Sequence, residues 1–361
     1  MRKSKMIKGT LILLAMLIMI PAALLIYFHF TQFQPRPTEP LSRKGSARKE
    51  IKIGDTLTAI TLNMGYGGLS YDTDFVMDGG SMVNPPSADL VKRNTEGVLS
   101  DLAAENADIY FLQEIDKASS RSYHIDQVHA AEDTLSGVNS FAANFKSQFV
   151  PYPFPETIGR VYSGIMTSSA YAVSKAERIA LYIPYKWPVS IFQLKRCLLV
   201  SRIPLAKSNQ QLILINLHLD AYDDGSGKIE QTKALASLMQ TEYQKGNYVI
   251  AGGDFNQTFP GSDPNLYPLV KKEHFMPGTI DASLFPKEWK FLYDETVPTS
   301  RLCNMPYDPQ SDEMQHYVID GFIVSPNIIC EEVRTLDWGF TYTDHNPVQV
   351  RLTLAHPPQD Y

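Results

Sequence analysis

Apolar and polar positions along the chain fall into three regimes. Residues 11–30 are almost all apolar, and no Asp, Glu, Lys or Arg lies between Lys8 and Arg36. Residues 31–50 scatter Pro35, Pro37, Pro40 and Gly45 among charges with no period. From about residue 55, short β-branched runs alternate with helical stripes. Alternation over 57–63 predicts a strand ending at Asn63. Ser87, after Pro85-Pro86, is placed to cap a helix through about Asn106, with Val91, Val98, Leu99 and Leu102 as its apolar stripe. Residues 108–114 read as a strand ending in an acid, Glu114. The stretch 117–162 looks irregular and aromatic-rich, with Phe149, Tyr152 and Phe154 among three prolines; a loop region that long is more often functional than idle.

Further on, 198–201 and 212–218 read as strands, and 220–227 as a polar loop. A helix is predicted over 229–245, with Leu235, Leu238, Met239 and Tyr243 facing inward and Gly246 as the stop. Val249-Ile250-Ala251 opens a strand over 247–254, in which Gly252 and Gly253 permit a sharp turn or a close approach to a ligand. Strands over 318–325, 329–336 and 347–354 complete a layered α/β body.

The N-terminal run is long enough, at roughly 1.5 Å per residue, to cross a hydrocarbon core about 30 Å thick. Pro21-Ala22-Ala23 runs on into Leu24-Leu25-Ile26, and no small-x-small cleavage site follows the run, so an uncleaved signal anchor is expected. The resulting division is a cytoplasmic tail (1–8), a transmembrane signal anchor (9–30), a flexible linker (31–50) and a folded α/β body (51–361). Arg2, Lys3, Lys5 and Lys8 favour a cytoplasmic N-terminus, which places the body outside as a single-pass membrane protein.

Charge sharpens this picture. Residues 1–50 hold nine of the 33 Lys/Arg and two of the 39 Asp/Glu, leaving 24 basic against 37 acidic in 51–361, a net of −13. Such a body is a poor electrostatic match for duplex nucleic acid. With 44% apolar residues the chain can fill a core, which excludes a disordered protein. Cys197, Cys303 and Cys330 form no zinc-like cluster.

Polar residues stand where apolar strands end: Asn63, Glu114, His218, Asp254 with Asn256, and Asp320, followed by Thr343-Asp344-His345 before the last strand. Singly, each reads as a turn residue, a strand-end charge or a satisfied core histidine. Together they are acids, amides and imidazoles delivered by successive strand ends, where α/β folds build their sites. The ordered set Asn63, Gln113-Glu114, Asn216-Leu217-His218-Leu219-Asp220, Gly253-Asp254-Phe255-Asn256, Ile319-Asp320-Gly321-Phe322 and Thr343-Asp344-His345-Asn346-Pro347-Val348 resembles the endonuclease/exonuclease/phosphatase superfamily over residues 55–354. That group includes deoxyribonuclease-I-like nucleases and neutral sphingomyelinases.

The resemblance implies a four-layer sandwich of two stacked β-sheets flanked by helices, and metal-assisted, in-line hydrolysis of a phosphoester by water. It implies Mg²⁺, with Mn²⁺ as a substitute, on Glu114, with Asn63 and Asp344 as further metal contacts. It makes Asp254 the residue that orients or deprotonates water, and Asn256 and His218 the phosphate contacts. His345 would be a second imidazole oriented by Asp320. Departures narrow the branch. Where 5-phosphatases carry a Trp-x-Asp-Arg type motif, this chain has Val318-Ile319-Asp320-Gly321, and abasic-site endonucleases have Tyr where His218 stands. Thr343 replaces a common Ser and keeps the hydroxyl. Expected substrates are a lipid, as for a sphingomyelinase- or phospholipase-C-like enzyme, or a small phosphodiester. An extracellular nuclease and a non-catalytic binding protein on the same fold are the alternatives.

Overall fold

A computed structural model describes residues 2–222 and 225–356. The first half of the chain contributes β1 (Thr38–Pro40), β2 (Lys44–Gly45), β3 (Thr56–Asn63), β4 (Ile109–Asp116), β5 (Val138–Val150), β6 (Gly159–Ser169) and β7 (Lys175–Ala180). The second half adds β8 (Cys197–Pro204), β9 (Gln211–His218), β10 (Tyr248–Asp254), β11 (Lys290–Leu292), β12 (Ser300–Arg301), β13 (His316–Tyr317), β14 (Asp320–Val324), β15 (Ile328–Thr335) and β16 (Val348–Leu354). Helices are α1 (Arg2–Thr31), α2 (Ala88–Glu105), α3 (Gln127–Thr134) and α4 (Ser226–Gln244).

One seven-stranded sheet has the order β1-β7-β8-β9-β10-β14-β11, the other β15-β16-β3-β4-β6-β5-β2. Strands buried on both faces need apolar residues throughout, and β10 is buried at every position. The two sheets pack through Ala59, Phe111, Leu214, Ile250, Phe322 and Val350. On the outer face of the first sheet, Leu235 and Met239 of α4 meet Ile213 and Val249. On the outer face of the second, Val98 and Leu102 of α2 and Val128 of α3 meet Ile60 and Leu112. The result is the expected four layers. Each fully buried Leu or Val in them contributes about 1.5–3 kcal/mol.

Local signals set the helix ends. Leu90 N donates to Ser87 Oγ at 3.2 Å at the start of α2, and Asn106 at φ 49° stops it. Helix α4 begins three residues before its predicted start, and Gly246 follows its end at φ 83°. The predicted polar loop 220–227 includes Asp223 and Asp224, which lie outside the described residues.

Two expectations are corrected. The stretch 117–162 is mostly regular: α3 precedes a long antiparallel hairpin of β5 and β6, whose register runs from Val138↔Ser169 to Val150↔Gly159. Its pattern misleads because buried Ser140, Asn144, Ser163, Thr167 and Ser168 stand where an apolar alternation would place hydrophobic side chains. Only the hairpin tip, 151–158, keeps the aromatic-proline character. Nor is 31–50 a free tether. Strand β1 pairs with β7, β2 pairs with β5, and Leu41 N donates to Ala176 O at 2.8 Å. Proline is tolerated there because both are edge strands.

Helix α1 projects from the body, and Lys5–Thr31 is long and apolar enough to cross a membrane, with mean hydropathy 2.8. Its C-terminal end is not detached. Phe28 stacks on Phe149, ring centroids 6.3 Å apart, and meets Phe192 edge-on at 5.3 Å.

Candidate active site

Strand register alone assembles the floor of the site. Parallel pairing of β9 and β10 sets His218 beside Asp254, and antiparallel pairing of β10 and β14 sets Asp254 beside Asp320. Neighbouring strands lie about 4.8 Å apart, so three of the candidate side chains share one row. Gly252 and Gly253 serve this packing rather than a turn. A Cβ on Gly252 would meet the Phe322 ring at 2.5 Å, and one on Gly253 would meet the Leu217 carbonyl oxygen at 2.0 Å.

The second sheet reaches across the sandwich. From the end of β3, Asn63 Nδ2 donates to Asp254 Oδ2 at 3.1 Å, while Asn63 Oδ1 accepts from Gly65 N at 3.0 Å. In β4 a register shift between Leu112 and Ile115 marks a bulge, where Glu114 adopts φ 48°. Bulges re-aim side chains, and a non-glycine residue held at positive φ is a strained position of the kind that clusters at functional sites. Glu114 thereby faces the cleft, whereas Gln113 turns into the sandwich and donates to Asn216 Oδ1 at 2.8 Å. Asn216 Nδ2 in turn donates to Met166 O at 2.8 Å, so a buried amide pair ties the sheets together beneath the site.

His345 Nδ1 lies 2.8 Å from Asp320 Oδ2, and its Nε2 lies 3.3 Å from Ser300 Oγ and 3.9 Å from Asp254 Oδ2. Burial opposes a charge on this imidazole. Asp320 and then Asp344 outweigh it and lift the pKa to about 10, so the ring is a cation at neutral pH. His218 Nε2 lies 3.3 Å from the same Asp254 oxygen. Burial, with the positive fields of Arg196 and His345, pushes His218 well below the usual histidine range and keeps it neutral. Its Nδ1 has no hydrogen-bond partner among the described residues. Burial and the adjacent Asp320 raise Asp254 to about 6.

Asn256 N donates to Asp254 Oδ1 at 2.8 Å, and Asn256 Nδ2 donates to Leu219 O at 2.9 Å. Asp344 Oδ1 accepts from Thr343 Oγ1 at 3.2 Å, and the Cys303 thiol lies 3.5 Å from its Oδ2. Burial raises the Asp344 carboxyl above the usual range, and the nearby Glu114 adds to the effect. All three cysteines are free thiols.

These groups line a cleft of about 520 Å³. Glu114, His218, Asp254, Asn256, Asp344 and His345 form its polar side, while Asn63 and Asp320 stand behind it, hydrogen-bonded to Asp254 and His345. Part of the lining is an apolar wall: Phe145, Val150, Ile158 and Leu194 pack together, and Phe192 also lines the cleft. Sequence reasoning missed Arg196, whose buried Nε donates to Asp220 Oδ1 at 3.2 Å while Nη1 has no partner among the described residues. It also missed Arg121, which stacks 3.8 Å over the Tyr66 ring and pairs with Asp116 at 3.0 Å. Lys195-Arg196, a basic pair before an apolar strand in an acidic body, was the signal available for the first.

No family model and no curated protein sequence matches the chain. Solved structures do. An endonuclease/exonuclease/phosphatase from Beutenbergia cavernae superposes with TM-score 0.55 at 16% identity, covering 84% of this chain and 73% of that one. An endonuclease/exonuclease/phosphatase family protein from Bacteroides thetaiotaomicron gives 0.51 at 15% identity, covering 84% and 100%. D. rerio TDP2, complexed with a single-strand DNA product, gives 0.48 at 16% identity, covering 83% and 99%. The chain has the endonuclease/exonuclease/phosphatase fold.

Proposed function

We propose that this chain is a membrane-anchored, divalent-metal-dependent phosphodiesterase, acting on a lipid phosphodiester or a small molecule of the same chemistry. The observation that carries the reading is Asp254, an ionisable carboxylate held between a neutral imidazole, a cationic imidazole and an amide at the floor of a cleft. The half-apolar cleft favours an amphiphilic substrate, and the acidic body disfavours duplex nucleic acid.

Donor chemistry supports a metal. Glu114 and Asp344 present two carboxylates to one cleft, and the raised Asp344 carboxyl is what a hard cation would relieve. These two, with Asn63 nearby, would hold Mg²⁺ or Mn²⁺, which supplies Lewis-acid polarisation of a phosphoryl oxygen. A second group, Asp254, Asp320 and His345, offers ligand atoms within 4.8 Å of one another. Its imidazole is a cation with Nδ1 committed to Asp320, so this trio suits proton handling better than metal binding.

In the proposed mechanism Asp254 accepts a proton from the attacking water. A pKa of about 6 leaves it ionised yet basic at neutral pH. His345, fixed by Asp320, turns its Nε2–H toward the phosphoryl group, stabilises the charge that builds there and gives its proton to the leaving alkoxide as the P–O bond to the alcohol breaks. Neutral His218 acts as a hydrogen-bond donor rather than a charge, and Asn256 holds a phosphoryl oxygen. Arg196 Nη1 is a further donor on the same side.

The test is full-length protein in phosphatidylcholine–sphingomyelin nanodiscs with Mg²⁺, assayed on phospholipids, sphingomyelin, DNA, RNA and bis(p-nitrophenyl) phosphate. Asp254→Ala and His345→Ala are each expected to lower turnover by about 10³-fold or more without loss of folding. Near-normal turnover in either variant sinks the assignment, and activity confined to DNA or RNA replaces the lipid reading with the nuclease one.

A further inference from the structure

The apolar wall of the cleft leads to a surface that the catalytic reading does not use. The β5–β6 hairpin tip carries Tyr152, 57% exposed, and Phe154, 86% exposed. Beside it the segment before β8 carries Trp187, 60% exposed, and Val189, 52% exposed. Large aromatics this open to solvent on two adjoining loops form an apolar patch of the kind that marks an interaction surface. Tyr152 and Val189 also line the cleft, so the patch is its outer lip.

What covers this patch follows from α1. Its apolar run ends at Phe30, and Phe28, two residues earlier, packs on Phe149 and Phe192 at the base of the same two loops. A helix spanning a hydrocarbon core of about 30 Å places the last turn of a 20-residue run at the headgroup boundary. Whatever Phe28 touches shares that depth. Trp and Tyr are the side chains that settle there, with an apolar ring and a polar tip. Lys186, next to Trp187, and Lys146, whose Nζ lies 4.8 Å from the Tyr162 ring centroid, put cations at the same rim.

Resting on the phosphodiesterase reading above, we infer that hairpin tip 151–158 and segment 185–192 form a membrane-seated lip. The lip seats in the bilayer that α1 crosses and opens the apolar wall of the cleft onto the lipid interface. A phosphodiester lipid of that same bilayer enters headgroup first. Its acyl part lies along Phe145, Val150, Ile158 and Leu194 while its phosphate reaches Asp254 and the two imidazoles.

The experiment reconstitutes the full chain in vesicles of phosphatidylcholine and sphingomyelin, with or without phosphatidylcholine brominated in its acyl chains. Bromolipid is expected to quench the tryptophan emission, and Trp187→Phe to remove most of the quenchable component, since Trp289 is buried and Trp338 packs against the outer face of the second sheet. Absence of quenching, or quenching unchanged in Trp187→Phe, overturns the lip. In a second arm, Phe154→Ser/Trp187→Ser should lower hydrolysis of the vesicle lipid about tenfold while leaving hydrolysis of water-soluble bis(p-nitrophenyl) phosphate unchanged. Equal loss on both substrates, or no loss on either, also overturns it. If the quenching holds while wild-type protein cleaves the soluble diester but no vesicle lipid, the lip stands and the lipid-substrate reading falls.

Discussion

Asp254 and Asp320 are adjacent carboxylates with different neighbours, and that difference sets a pH window. In the proposed mechanism Asp254 must be ionised to take a proton, so activity is expected to fall as pH drops through about 6. In the same mechanism His345 must be charged to stabilise the phosphoryl group, so activity is expected to fall again as pH rises through about 10. Asp320 raises both groups; Asp320→Asn is therefore expected to move both limbs of the kcat/KM profile to lower pH and to cost about 10²-fold or more in rate. A rate loss with unmoved limbs would show that Asp320 does not set these ionisations. The polar strand-end positions were readable as an ordered set: each alone has an ordinary structural reading, but acids, amides and imidazoles closing successive apolar runs do not. Arg196 was harder to read: its importance comes from an unfilled guanidinium nitrogen beside Asp220, a contact that depends on β8 and β9 being neighbours.

At the scale of elements, α4 is clamped to the sheet by charge as well as by its stripe. Arg202 of β8 donates from both terminal nitrogens to Glu242 of α4, at 2.9 Å each, and Lys245 and Asn247 add further donors. The Arg202 hydrogen bonds hold the Glu242 carboxyl down at about 2, against an unfolded value near 4.5. A depressed carboxylate contributes stability above the unfolded value, and that contribution drains away as pH falls from about 4.5 through about 2. Because Arg202 is partly open to solvent, Glu242→Gln should cost about 1–2 kcal/mol at pH 7 and flatten the acid limb of stability between those values, read by urea unfolding. An unchanged midpoint at neutral pH would dismiss the clamp. Helices α2 and α4 were legible because a 3.6-residue stripe and a cap point to the same element. Strands β5 and β6 were not, since buried hydroxyls and amides such as Ser140, Asn144 and Thr167 erase the apolar alternation. The two Gly of β10 looked like a turn for a similar reason, because what they avoid, the Phe322 ring and the Leu217 carbonyl, lies on other strands.

At the scale of the whole molecule, the apolar run and the acidic body were plain in the sequence, but their relation was not. Phe28 of α1 already packs on Phe149 and Phe192, and the pairing of β1 and β2 with the edges of the two sheets shows that only six residues link the end of α1 to the first strand of the body. With the anchor held so short, an enzyme of the proposed kind would meet its substrate in two dimensions. Its rate would follow the fraction of substrate among the lipids around it rather than the amount of lipid in the tube. Diluting the substrate with inert lipid in the same nanodisc should slow turnover in proportion, whereas adding substrate in separate vesicles should leave it unchanged. A rate that responds to the separate vesicles would mean the cleft is not held to its own membrane. The strap at residues 31–50 would then govern access: it selects which bilayer the enzyme can work on, and a longer one would let it work in trans.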